Sequence, residues 1–258
     1  MGAGRAGVAP GSAEPIRAHW APRLPRSVVV NRRRRVLRLG SLGGATSRDG
    51  PDDCAGHGQI VRGVEQIPWL YEIFCSLYEW SGLGEWRRAL VAGARGTVLD
   101  LGSGTGRNLP LLPDGTTAVA LDPSLDALRQ ARRRAPAVPL VVGRAEALPF
   151  RAATFDTVLS GLVFCSVGDP RRGLEEVKRV LRPHGELRML EHIRSRIPWR
   201  ARVQDLIQPV WTWVAGGCHP NRDTEGAVEA AGFRIEPRGR RTEGTNRLFA
   251  ARERSGLS

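Results

Sequence analysis

Residues 98–108 read VLDLGSGTGRN, an apolar run carrying one acid and followed by glycine at every second position: Gly102, Gly104 and Gly106. Glycine has no Cβ, so the backbone can turn sharply off a strand and approach a ligand closely, with its amides free to donate. The spacing narrows the ligand. A dinucleotide fingerprint asks for GxGxxG, whereas here the last fingerprint position is Arg107. No GK[ST] ending follows, so the turn lacks the lysine of a phosphate loop. Asp100, two residues before the first glycine, repels a pyrophosphate and suits a cationic or amine-bearing ligand.

Downstream, short apolar runs alternate with helical stretches. TVLDLG (97–102), TAVALD (117–122), VPLVVG (138–143), FDTVLSGLVF (155–164) and ELRMLEHI (186–193) read as strands, and FRIEP and NRLFAAR as two more near the end. Between them lie the helical stretches LPLLP (109–113), SLDALRQARRRA begun by Ser124, RRGLEEVKRVL, and DTEGAVEAAG. Such a βαβ series requires a mostly parallel sheet with helices on both faces, and open sheets of this kind bind ligands at the carboxyl ends of their strands. Asp122 ends the second strand, where doubly wound folds place a carboxylate for ribose hydroxyls. A site that takes ribose but not diphosphate fits S-adenosylmethionine, a nucleoside carrying an amino acid through a sulfonium.

At this point VLDLGSGTGRN, VALDPS, GRAEALPF, FDTVLSGLVFCSV and RVLRPHGEL together resemble, in order and spacing, the motifs of class I S-adenosylmethionine-dependent methyltransferases. The resemblance runs over about residues 65–253. It implies an α/β three-layer sandwich, Rossmann-like, with a mostly parallel seven-stranded sheet whose last strand is antiparallel. It further implies that Gly102, Ser103 and Gly104 pack on the methionine and sugar portion, that Asp122 holds the ribose, that Pro123 lines the adenine, and that Asp100, Gly106 and Ser160 belong to the same cofactor site. Arg144 stands where the family often has an adenine-binding Asp, so Ala145 or Glu146 must substitute. His184 stands where the family usually has glycine.

The same resemblance implies that the acceptor pocket is built from N-terminal helices (65–92) and from an insertion after the fifth strand (194–223). Both are aromatic, which singles out Trp69, Tyr78 and Trp211, together with His219, as acceptor-binding candidates. His192 and Glu191, at the end of the fifth strand, are the candidate bases. LEHIRS and GGCHPNRDT are similar to the quinone-ring, phospholipid and thiol methyltransferase branches, which leaves a ring carbon, an amine and a thiol open as the methylated group. For the aromatic and aliphatic stripe of the insertion, packing against the sheet is the simplest expectation.

The chain has 258 residues and a net charge of +13, and Lys178 is its one lysine among 39 basic residues. That skew points to a GC-rich coding sequence. Residues 1–60 hold ten arginines against Glu14, Asp49, Asp52 and Asp53 without periodicity, so a disordered tail is expected, with 61–258 as the catalytic domain. A tether, a degenerate transit peptide and translated upstream sequence compete to explain this tail, and the last is the simplest. Stacking aromatics and recognition motifs are missing, so specific nucleic-acid binding is not expected.

Cys54, Cys75, Cys165 and Cys218 form no CxxC pair. Cys165 and Cys218 therefore read as small apolar fillers, no metal is expected, and a reducing cytoplasm is the expected compartment, with membrane-surface contact an open alternative. A nucleotide-cofactor oxidoreductase and a non-catalytic, membrane-bound or scaffolding relative of methyltransferases are the rival readings.

Overall fold

The computed structural model describes residues 29–30, 83–195, 197–214, 218–219, 221–244 and 246–254. In chain order the elements are β1 (Val29–Val30), α1 (Gly84–Val91), β2 (Thr97–Leu101), β3 (Thr117–Asp122), α2 (Leu125–Arg134), β4 (Leu140–Val142), β5 (Phe155–Gly161), α3 (Pro170–Val180), β6 (Leu181–His192), α4 (Pro198–Val214), α5 (Thr224–Ala230), β7 (Phe233–Ile235), β8 (Arg241–Glu243) and β9 (Asn246–Glu253). The strands form one sheet in the order β1-β4-β3-β2-β5-β6-β9-β7, with β8 on β9. β4, β3, β2, β5 and β6 run parallel, and β9 lies antiparallel between β6 and β7.

This is the expected Rossmann-like sandwich, enlarged by two short strands. β8 is a three-residue addition to β9, and Val29–Val30 pairs with β4 at the opposite edge. Val29–Val30 are the described residues of the expected 1–60 tail, and the rest of it lies outside the described residues.

Alternation within the buried strands assigns the two faces. Val98, Ala118, Leu159, Leu190 and Leu248 pack with Trp86, Leu90 and Val91 of α1, while Ala120 and Leu140 pack with Leu128 and Ala131 of α2. On the other face Leu99, Leu101, Val119, Leu121, Val158 and Met189 pack with Leu174 and Val177 of α3 and Val228 of α5.

Capping explains where the helices start. The Ser124 hydroxyl accepts from Ala127 N, and the carboxylates of Asp169 and Asp223 do the same for α3 and α5. The helix expected over LPLLP is only a 3₁₀ turn, Leu109–Leu111, because Pro110 and Pro113 remove donors a longer helix needs. The C-terminus of α1 is closed from the sheet: Arg188 donates from Nε to Leu90 O (2.7 Å) and from Nη2 to Ala89 O (3.0 Å).

Candidate functional site

The carboxyl ends of β2, β3, β5 and β6 lie on one edge of the parallel sheet, and Asp100, the glycine turn with Ser103, Asp122, Pro123, Ser160, Glu191 and His192 sit there. Gly102, Gly104 and Gly106 all have positive φ, +62°, +54° and +78°. Their surroundings differ. A Cβ on Gly102 would lie 2.4 Å from Val163 Cγ2, and one on Gly106 2.8 Å from Ala131 Cβ, so these two glycines serve packing as well as the turn. A Cβ on Gly104 would meet nothing within 4 Å, which leaves its backbone approachable.

Asp122 locks this turn. Its Oδ2 accepts from Gly104 N and its Oδ1 from Ser124 N, both at 2.8 Å, while Ser103 N donates to Leu121 O at 3.0 Å. Each carboxylate oxygen keeps a second lone pair for a ligand hydroxyl. Burial pushes the Asp122 carboxyl above its ordinary value, and the two backbone hydrogen bonds pull partly back.

Asp100 is fully buried. Its Oδ1 accepts from Asn108 Nδ2 (2.9 Å), and Asn108 Oδ1 accepts from Arg87 Nη1 (3.0 Å), so α1, the turn and β2 are joined in one chain of bonds. Asp100 Oδ2 and the neighbouring Ser103 hydroxyl have no hydrogen-bond partner in good geometry among the described residues. Burial raises the Asp100 carboxyl, against the opposing pull of Asn108, Ser103 and the Arg87 charge. A buried carboxylate oxygen in this state fits a donor-rich, positively charged group. Asn108 and Arg87 were legible only as members of a loop and a helix. The eight-residue step from Asp100 to Asn108 is the one signal that could have paired Asn108 with the acid.

Glu191 does not stand open to the cleft, and its expected role as a base is corrected. It is wholly buried, and its Oε1 accepts from Ser160 Oγ (2.9 Å), Val163 N (3.1 Å) and Phe164 N (3.0 Å), while Oε2 accepts from Cys165 N (3.3 Å). Burial raises its carboxyl against these hydrogen bonds. It anchors the loop that follows β5, a loop entered through Leu162 at φ +62°. The Ser160 hydroxyl donates to this anchor.

Glu146 Oε1 accepts from Gly168 N and Asp169 N at 3.1 and 3.4 Å, just ahead of α3. Ala145 is buried, and Pro123 is exposed directly after β3.

His192 and His219 are half-buried. Trp211 falls within α4, and Trp69 and Tyr78 lie outside the described residues. The expectation that the α4 stripe packs inward is corrected for four members: Trp199, Val203, Leu206 and Ile207 are exposed, while Ala201 and Gln204 face the protein. Gln204 Oε1 accepts from Ser195 N, and its Nε2 donates to Ile193 O, a polar seat that fixes which side of the helix turns in. Cys165 and Cys218 also differ from expectation. They are buried, but they are brought together with His192, which no sequence spacing announced. A hydrogen bond with Cys218, then burial and the Glu191 carboxylate, push the Cys165 thiol upward.

The sheet order, the glycine turn and the acid that closes it define the class I S-adenosylmethionine-dependent methyltransferase fold. Residues 99–189 match the family model described as Methyltransferase domain. Among curated proteins it is similar to the rat thiol S-methyltransferase TMT1B, 34% identical over 145 residues, which are 53% of this chain and 59% of that one. It is also similar to the demethylmenaquinone methyltransferase of Renibacterium salmoninarum, 35% identical over 139 residues, 52% and 58% of the two chains. The chain thus spans about three-fifths of the length of these relatives. Among solved structures, a SAM-dependent methyltransferase of Thermotoga maritima superposes with a TM-score of 0.59 at 21% identity, over 74% of this chain and 98% of that one, a likeness of fold.

Proposed function

We propose that this chain transfers a methyl group from S-adenosylmethionine to a small hydrophobic acceptor. The observation that carries the reading is the pair of acids at the glycine turn: Asp122, held by Gly104 N and Ser124 N, and Asp100, buried with one oxygen left without a partner in good geometry among the described residues. When bound, S-adenosylmethionine supplies an electrophilic methyl carbon on a leaving group already activated, so the protein's work is orientation and exclusion of water. Asp122 accepts the sugar hydroxyls, Gly104 lets the ligand lie against the backbone, and Asp100 with Ser103 takes the cationic amino-acid end. The loop after β5 borders this seat, since Val163 lies against Gly102. Glu191 holds that loop in one conformation by accepting three consecutive backbone amides.

For the acceptor, a thiol is the first class to test and a quinol-type ring the second, in line with the named relatives. Isothermal titration with S-adenosylhomocysteine tests the donor site. Saturable binding is expected in the native chain, and Asp122→Ala should weaken it by about 10- to 100-fold, as loss of charge-assisted hydrogen bonds worth roughly 1.5–3 kcal/mol would. A folded native chain that does not bind would end the reading.

A further inference from the structure

The loop after β5, the last residue of β6 and the segment at 218–219 converge on three side chains with metal-ligating atoms. The sulfurs of Cys165 and Cys218 and a ring nitrogen of His192 all lie within 4.8 Å of one another. The convergence does not depend on those side chains. His219 N donates to Cys165 O at 2.8 Å, and Arg222 Nη1 donates to Phe164 O and Val167 O at 2.6 and 2.7 Å. Arg194 N reaches Arg222 O at 3.4 Å, tying the start of the insertion to its end. Glu191, beside His192 in sequence, fixes the backbone of Cys165. Three segments far apart in sequence are therefore pinned so that two thiols and an imidazole face one point.

Two sulfurs and one imidazole are a donor set for zinc-class cations, whereas calcium and magnesium ask for oxygen. A tetrahedral zinc with sulfurs at about 2.3 Å and nitrogen at about 2.0 Å sets its ligand atoms about 3.5–3.8 Å apart. Drawing in by about 1 Å is within reach of side-chain rotation. A disulfide between the cysteines would need the sulfurs at about 2.05 Å, and both are free thiols here.

We propose that Cys165, His192 and Cys218 bind a zinc-class cation with three protein ligands, and that its fourth position takes an acceptor thiol. Three protein ligands and one open position is the arrangement of catalytic rather than structural zinc, and a thiol bound to such a cation is deprotonated. The acceptor gives its proton to solvent, its sulfur forms the bond to the methyl carbon, and the bond from that carbon to the donor sulfonium breaks, with the electron pair returning to the donor sulfur. The thiol half of the proposal rests on the methyl-transfer reading above. The cation half stands without it.

The test uses the full chain, purified reduced, stripped with chelator and titrated with cobalt(II) as a coloured stand-in for zinc. Expected is a thiolate-to-cobalt charge-transfer band that saturates at about one equivalent and is displaced by zinc. Outer-shell changes already cost metal sites about 10- to 100-fold, so Cys218→Ser and His192→Ala should each weaken zinc binding more than 100-fold, while His192→Cys restores it. Circular dichroism melts show that the variants fold. Benzenethiol should shift the cobalt band, and phenol should not.

No band in a chain whose thiols are reduced, or a band that survives both weakening variants, overturns the cation site. A band indifferent to benzenethiol overturns the thiol assignment. Failure of S-adenosylhomocysteine to bind a chain that does bind cobalt sinks the methyl-transfer reading instead and leaves the cation site standing.

Discussion

The glycines of the turn are unequal, and substitution should separate their tasks. Gly102→Ala meets both a left-handed backbone and Val163 at 2.4 Å, so it should lower stability by about 2–4 kcal/mol in urea unfolding. Gly104→Ala pays for the backbone alone, about 1–2 kcal/mol, yet should weaken S-adenosylhomocysteine binding more per unit of lost stability, because the space it fills is the ligand's. Asp100 offers a second contrast. Its carboxyl is raised in the folded protein, so its contribution to stability is complete below the ordinary Asp range and is lost as pH rises through the raised value. Asp100→Asn should therefore make the ligand-free protein more stable near neutral pH, with the advantage shrinking on acidification, and should weaken binding of the cationic donor. Denaturant midpoints across pH, with calorimetry at one pH, check both. Glu186 has the opposite sign. Arg252 and Arg188 hold its carboxyl below the usual range, so its contribution is present at neutral pH and lost as pH falls through the lowered value.

Elements were legible where local chemistry sufficed. The buried runs of β2 and β3 and the Ser124 cap announce themselves within a few residues, and so does the turn with Asp100 and Asp122. What escaped sequence reading depends on distant partners. The amides that claim Glu191 sit 26–28 residues earlier, and the cysteine pair joins positions on either side of an insertion. The outward apolar side of α4 was missed because the inward seat is a single glutamine bonded to the backbone, which a hydrophobic pattern does not register. One irregularity was visible and proved physical: His184, in the position the family gives to glycine, has φ +65° within the long strand β6, where the pairing with β5 skips from Leu181 to Glu186. His184→Gly should raise thermal stability by about 0.5–1 kcal/mol, since relief of the left-handed strain outweighs the added freedom of the unfolded chain.

At the scale of the molecule, no helix among the described residues is long and apolar enough to cross a membrane. The charge of the described domain is arranged in pairs, such as Arg240 on Glu225 at 2.7 Å and Arg252 on Glu186 at 2.8 Å, which places many arginines in fixed structural roles. The order of the sheet carries a further meaning. β9 is the last strand in sequence but lies inside the sheet, between β6 and β7. A chain still emerging from the ribosome therefore holds Leu187–His192 as a bare edge and Phe233–Ile235 without its β9 partner until residues 246–253 are released. The sheet cannot close before residues 246–253 are made, so a chain stopped after Arg240 should be recovered mainly in the insoluble fraction, while one stopped after Arg254 should be recovered mainly in the soluble fraction. The closing residues of the domain act as its keystone, and the time spent waiting for them is when the nascent protein most needs shelter.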